Sequence, residues 1–518
     1  MLNTKIDVKR IEIIDECFDS NSVTWMEKSR KKQLMIKPRT KSVEVTFSNG
    51  EKRRYGYVDS LDNNTEGLVN LNCSYIHNLN LSNTDIQITA ENSFIVGGID
   101  FTQSCISGDK ANFKNAIFYN GTVKFNNSVF NCEKVIFNNV RFIKNNINFN
   151  SATFNVKEIN FEESIIFSKY VSFKNANLNS SFLSFRSVDF CGSRLNFESV
   201  KVTTGNINFR YSTNIGNTIN FRWAELNSGE VCFRNINSPT TMIRFVGSSI
   251  NSRKITFESS ILDQVVFDYC ECNCYIDLRV KKTRLVILDS CVIHNILDLN
   301  FVDRNSVTGL SVNNSKILGQ IYIDWMKYSV KELIENGKLI SNKNDDYNEL
   351  NLSLEQIAKQ LLMLKENYQR IGLYDYEDLC YVEYRRVESI ALVKNTKDKN
   401  IFAKVLGLSK FLVQKFIFDL VGGYGTKPTS VFKTMIAVWL GFSALYSFEP
   451  LQLDYVGVSS SLDKIKPLYF SGITFLTIGY GDIKPSNDIT ALVSIIEGFM
   501  GIFLMSYFTV SFARKLLR

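Results

Sequence analysis

The chain has 518 residues, 45% of them hydrophobic and 22% charged, which is the balance of folded protein with room for several domains. Its net charge of +8 is small and dispersed, so no basic stripe invites a phosphate backbone and nucleic acid is not an expected partner. Eleven cysteines follow an N-terminus, MLNTKIDVKR, without an apolar run of signal-peptide length, and they are read as thiols in a reducing cytoplasm rather than as disulfides.

The first element is SVEVTFSNGEKRRYGYV, where alternation around Asn49-Gly50 predicts a β-hairpin within a cap spanning 1–67. A ladder follows. From Phe113 to Phe257 a phenylalanine stands at every twelfth position, thirteen in register. An apolar residue such as Val135, Ile147 or Leu183 lies two before it, a small or branched one such as Ala152 or Ser164 three after it, and usually a large apolar one such as Phe118 or Phe130 five after it. The period of two around each Phe is that of a strand and excludes a helix. A twelve-residue unit cannot bury a Phe alone, so the units must stack as a β-solenoid over about 68–325, with two units expected per coil. Cys270, Cys272 and Cys274 alternate on one strand face, and with two histidines in the whole chain they read as strand packing rather than a metal site. Arg186, Arg210, Arg222 and Arg234 are expected on the solvent face. Helical spacing with a break at Gly372 predicts a helical hairpin inside a linker, 326–400.

The [A/S/V]-x-[F/L]-x-x units resemble pentapeptide-repeat proteins, with the five-residue rhythm broken here into five plus seven. Interspersed charge sets the solenoid apart from the acidic, DNA-mimicking members that the resemblance brings in.

Two segments are apolar enough to span a bilayer as helices, 429–448 and 489–513, interrupted only by Lys433 and Glu497. In the preceding segment, 401–428, Lys404, Lys410, Lys415 and Asp419 share half of a helical wheel, which predicts an interfacial amphipathic helix. Basic residues flank the outer ends of both spans, whereas Glu449 to Asp488 holds three lysines against five acids. Both termini are therefore expected in the cytoplasm of a cell whose inner membrane holds the two spans.

Between the spans, a short helix is expected over 467–476, opened by Pro467, and Thr477-Ile478-Gly479-Tyr480-Gly481 follows it. That stretch resembles the TVGYG selectivity filter of potassium channels, with Ile for Val, and the resemblance extends over outer helix, pore helix, filter and inner helix. It implies a two-span potassium channel, a homotetramer in the lipid bilayer, in which the 477–481 carbonyls and the Thr477 hydroxyl replace the water around potassium ions. No cofactor is implied beyond the permeant ions. Asp482 matches the filter-capping Asp, while Ile473 stands where some members carry the Glu that pairs with it. Gly501 matches the inner-helix hinge glycine, a position that close packing explains equally well. Met505 and Thr509 follow as candidate cavity lining, and Glu497 is expected buried as pore support. The earlier Gly423-Tyr424-Gly425 has no pore helix before it and reads as a turn into the membrane.

The chain thus reads as a channel subunit of mixed fold, a solenoid followed by a helical linker and an all-α pore domain, 429–518, and not as an enzyme. The alternative is a membrane-anchored solenoid scaffold whose pore is vestigial or poorly selective. Two roles are open for the solenoid: regulation by a ligand or protein bound to it, or assembly and tethering. Because the inner helix ends close to Arg518, control is expected to arrive from the N-terminal side, through the hairpin, the interfacial helix and the outer helix.

Overall fold

The computed structural model describes residues 7–14, 41–58, 67–336, 353–394, 401–449, 451–456 and 465–517. Parts of the expected cap and linker, and Arg518 of the basic flank, lie outside the described residues. The chain forms two compact units, Met1–Asn351 and Leu352–Arg518.

The first unit is the consequence of the Phe ladder: a β-solenoid of about 10 turns. Its strands alternate between two sheets, of 14 and 15 strands, and parallel pairing joins residues one coil apart, such as Arg141↔Ile165 and Lys201↔Glu225. A mid-solenoid coil therefore takes 24 residues, two sequence units, as hydrogen bonds between equivalent asparagines of neighbouring coils also show (Asn155 to Asn131, 3.0 Å). The twelve-residue ladder splits into two columns. Phe113 stacks on Phe137 at 4.8 Å and 4°, Phe125 on Phe149 at 4.9 Å and 3°, and the columns meet edge-on, Phe113 to Phe125 at 6.3 Å. Burial of each ring contributes up to about 3 kcal/mol, and each aromatic pair about 0.5–1.5 more.

The five-plus-seven rhythm has a backbone cause. After each ladder Phe the chain turns a corner: the Ala116 N–H donates to the Phe113 carbonyl (3.0 Å), with Asn115 between them at φ +58°. The residue two after every ladder Phe is left-handed, from Asn115 through Asn127 and Asn139 to Ser259, a conformation that Asn and Gly adopt most readily. The next side chain points inward beside the stacked rings and is small or β-branched, from Ala116 and Ser128 to Val140 and Ile236. The hydroxyls of Ser164 and Ser212 at this position donate to a Phe carbonyl of the coil before, Phe137 at 2.7 Å and Phe185 at 2.8 Å, whereas Ser128 donates to Phe125 of its own coil (2.7 Å).

Charges outside pair across coils at the same spacing, as in Lys134 with Glu158 (2.8 Å) and Lys201 with Glu225 (3.1 Å). Arg234 likewise pairs with Glu258, and Arg186 is exposed beside the buried Phe185. Cys270, Cys272 and Cys274 are buried in the core. Asp277 is a fully buried carboxylate, held by Lys254 (2.7 Å), Arg279 (2.8 Å) and the Thr256 hydroxyl (3.0 Å). Burial alone would raise its carboxyl, but the two cations bring it well below the usual carboxylate range.

Both ends of the first sheet are closed. The predicted hairpin forms as Ser42–Phe47 and Lys52–Val58, turning at Gly50 (φ +82°), and strand Val8–Ile14 adds antiparallel to its outer edge. Val43, Val45, Phe47 and Tyr55 bury themselves against Tyr75 and Phe94. At the other end helix α1, Val330–Asn336, buries Val330, Leu333 and Ile334 against strand Val307–Ser311. Such covering keeps open sheet edges from pairing with other chains.

The second unit is helical. Helix α2, Leu354–Arg370, starts at a capping box in which Ser353 and Gln356 satisfy each other's backbone N–H groups, and α3, Tyr374–Lys394, returns along it after the Gly372 turn (φ +76°). Ile357, Leu361, Leu364 and Tyr368 meet Cys380 and Val387 in the seam. Helix α4, Ile401–Val413, runs into a π-wound segment, Gln414–Leu420, before the turn at Gly423. Then come α5, Pro428–Leu445, the short α6, Lys466–Phe475, and the long α7, Asp488–Leu516. Helices α5 and α7 are long and apolar enough to cross a membrane, and only 6% and 22% of those stretches are buried.

Candidate functional site

The site is built around α6. Ile465 caps it, Pro467 occupies its first turn, and Phe470, Ser471, Ile473 and Phe475 are buried between α5 and α7. At its C-terminus the chain reverses into Thr477–Gly481. Thr477 (φ +57°), Gly479 (φ +58°) and Gly481 (φ +80°) are left-handed, and Ile478 and Tyr480 between them are not. Alternating handedness turns successive carbonyls to one side of the strand. A β-branched residue pays for that conformation, so Thr477 is a strained position of the kind found at functional sites. The strain is held by the end of α6: the Thr477 N–H donates to Thr474 (3.0 Å), and Ile478 and Gly479 donate to the Ile473 carbonyl (2.8 and 3.3 Å).

Asp482 closes the strand. Ile473 cannot pair with it, and the partner is Tyr469, one helical turn earlier on α6, whose hydroxyl donates to Asp482 Oδ2 at 2.9 Å. Sequence reasoning missed Tyr469, because a Tyr in place of a carboxylate at a shifted position follows no motif. Beyond Asp482, strand Ile483–Pro485 pairs with Leu453–Tyr455, and Ile483 packs with Tyr446 and Phe470.

Glu497 is fully buried and joins three helices: it accepts from Tyr446 at the end of α5 (2.8 Å) and from Ser471 of α6. The Trp439 indole of α5 donates to the Leu468 carbonyl of α6 (3.2 Å). A Cβ on Gly501 would stand 2.0 Å from the Phe475 carbonyl oxygen, so the contact of α7 with the end of α6 by itself demands glycine there. Met505 and Thr509 are exposed on α7, with the Thr509 hydroxyl donating to the Met505 carbonyl (3.0 Å).

At the other end of α7 lies a second cluster that the sequence did not announce. Arg514 reaches Asp378 (3.1 Å) and Glu377 (3.3 Å) of α3, Lys515 reaches Asp378 (3.2 Å) and Asp375 (3.3 Å), and the Arg514 guanidinium lies over the Tyr381 ring at 4.6 Å. Cations at a helix C-terminus also suit its dipole. Farther along α3, Arg386 makes a two-pronged pair with Asp419 of the π-wound segment (2.8 and 3.0 Å), and that carboxylate pushes the guanidinium further up. Gly423-Tyr424-Gly425 is a turn, as expected, and more: the Gly425 carbonyl accepts from Ser511 of α7 (3.1 Å), while Tyr507 donates to Phe418 (3.0 Å). The hairpin thus touches α7 directly, whereas the sequence suggested a path through the interfacial and outer helices.

A family model described as ion channel matches residues 434–518, the stretch that holds most of α5, α6, the Thr477–Gly481 strand and α7. No curated protein and no solved structure matches the chain. The chain therefore carries an ion channel domain at its C-terminus, behind a β-solenoid, and belongs in a membrane.

Proposed function

We propose that the chain is one subunit of a tetrameric, potassium-selective channel of the cell (inner) membrane, with both termini cytoplasmic. The observation that carries this is the left-right alternation of Thr477–Gly481 directly after a pore-type helix between two membrane-length helices. One chain supplies one filter strand, so four must meet on an axis, with the closed symmetry usual for such assemblies. Tyr480 and Ile478, 70% and 48% exposed in the single chain, offer large side chains for neighbouring copies to cover. Asp482 with Tyr469 holds the outer end of the filter, Glu497 braces it from behind, and Met505 and Thr509 line the cavity below.

The solenoid acts on this pore through the hairpin. Its lever is the set of ion pairs between Asp375, Glu377 and Asp378 and the end of the inner helix, which lets any displacement of α3 pull on α7. The test of the pore is reversal potential in bilayers holding the purified chain: it should track the potassium gradient, and Tyr480→Asp should admit sodium. Equal sodium and potassium currents in the unmodified protein would refute selectivity, and a conducting monomer or dimer would refute the tetramer.

A further inference from the structure

Beside the ion pairs, α3, the π-wound segment, the Tyr424 turn and α7 enclose a cavity of about 540 Å³, within the ~300–1,000 Å³ range of small-molecule sites. Its lining mixes two chemistries: Phe503 and Val510 of the inner helix and Phe418 are apolar, whereas Arg385 of α3 and Arg514 of α7 are guanidinium groups. Both charged residues that line it are guanidinium groups, and no carboxylate does. Arg385 uses Nη1 on Glu388 (2.6 Å) and lies over the Tyr424 ring at 5.7 Å, yet its Nε is buried without a hydrogen-bond partner among the described residues. A buried donor left unmade costs about 1–3 kcal/mol, so an acceptor is wanted there. From Phe503 to Arg514 the inner helix rises about 16 Å, at about 1.5 Å per residue. Along that helix Phe503 and Val510 precede Arg514, the same order of chemistry that a bilayer leaflet presents, and Arg385 joins from α3 beside the Tyr424 turn.

We infer that this cavity binds an anionic phospholipid of the cytoplasmic leaflet, its phosphate on Arg385 and Arg514 and its upper acyl chain against Phe503 and Val510. A free phosphate would satisfy the guanidinium groups but leave the apolar lining to water, which favours the lipid as the source of the anion. So placed, the lipid joins α3 to α7 beside the ion pairs and stiffens the connection between hairpin and inner helix. The inference rests on the C-terminal unit being a membrane domain.

The full chain, purified in mild detergent, is exposed to phosphatidylglycerol or to phosphatidylcholine of the same acyl composition, and retained lipid is counted by native mass spectrometry. Phosphatidylglycerol should be retained with about tenfold preference, the equivalent of one charge-assisted hydrogen bond. Arg385→Gln should abolish the preference. Ser506→Trp, which fills the cavity and leaves both guanidinium groups in place, should abolish retention of either lipid, and it keeps the test decisive should Arg385→Gln fold poorly. Equal retention of the two lipids, or unchanged retention in Ser506→Trp, overturns the site, as does displacement of the lipid by millimolar inorganic phosphate. Flotation with vesicles separates the two levels: a chain that floats without lipid preference removes this site alone, and one that does not float removes the membrane assignment with it.

Discussion

Reversing one charge in the cluster at the end of the inner helix tests whether the hairpin controls the pore. Asp378 is nearly buried and Arg514 keeps a quarter of its side chain in solvent, with 3.1 Å between them. Fully exposed pairs are worth about 0.2–1 kcal/mol, and breaking a buried one costs about 3–5. This pair lies between those limits, so about 2 kcal/mol per subunit is expected, or roughly 30-fold per subunit in the ratio of open to closed states if only one of them keeps the contact. Single-channel recording of Asp378→Lys and of Arg514→Glu should show open probability displaced in the same direction, and the double reversal should return it most of the way toward the unmodified value. A coupling under about 0.5 kcal/mol in that cycle, or open probability unmoved by all three variants, would refute the lever.

Phe185, fully buried between Phe161 (5.0 Å) and Phe209 (4.9 Å), should lose about 3–5 kcal/mol of stability as Ala, whereas the exposed Arg186→Ala should lose little. Thermal unfolding followed by circular dichroism compares them, and equal losses would show the register to be wrong. Gly501→Ala should disrupt pore assembly, since its Cβ would meet the Phe475 carbonyl; a normally conducting tetramer would show that α7 can move away there. Asp277 is more acidic folded than unfolded, so it stabilises the solenoid above its ordinary value of 3.8, and that contribution is lost as pH falls below it. Asp277→Asn should flatten the fall in solenoid stability below pH ~4, measured as the unfolding midpoint against pH; an unaltered acid slope would place the acid sensitivity elsewhere.

The sequence by itself determined whatever repeats or is local. A Phe at every twelfth position forces stacking because one unit cannot bury its ring, and two membrane-length apolar stretches must be helices because lipid leaves a backbone few options. Even the small or branched residue three after each Phe was visible, although only the left-handed corner at positions such as Asn115 explains it. Tertiary structure decided the pairings between distant residues. The two Phe columns exist because equivalent strands meet 24 residues apart, so alternate units, not successive ones, stack face to face. Tyr469 holds Asp482 because an α-helical turn brings its hydroxyl to the end of the Thr477–Gly481 strand, and Gly501 is required by the end of α6 rather than by anything near it in sequence. Arg514 looked like a membrane-flanking charge and is also the partner of Asp378, 136 residues away. Charge patterns tell which side of a membrane a residue prefers, but which opposite charge it meets is settled by the packing of helices whose contacts leave no periodic trace.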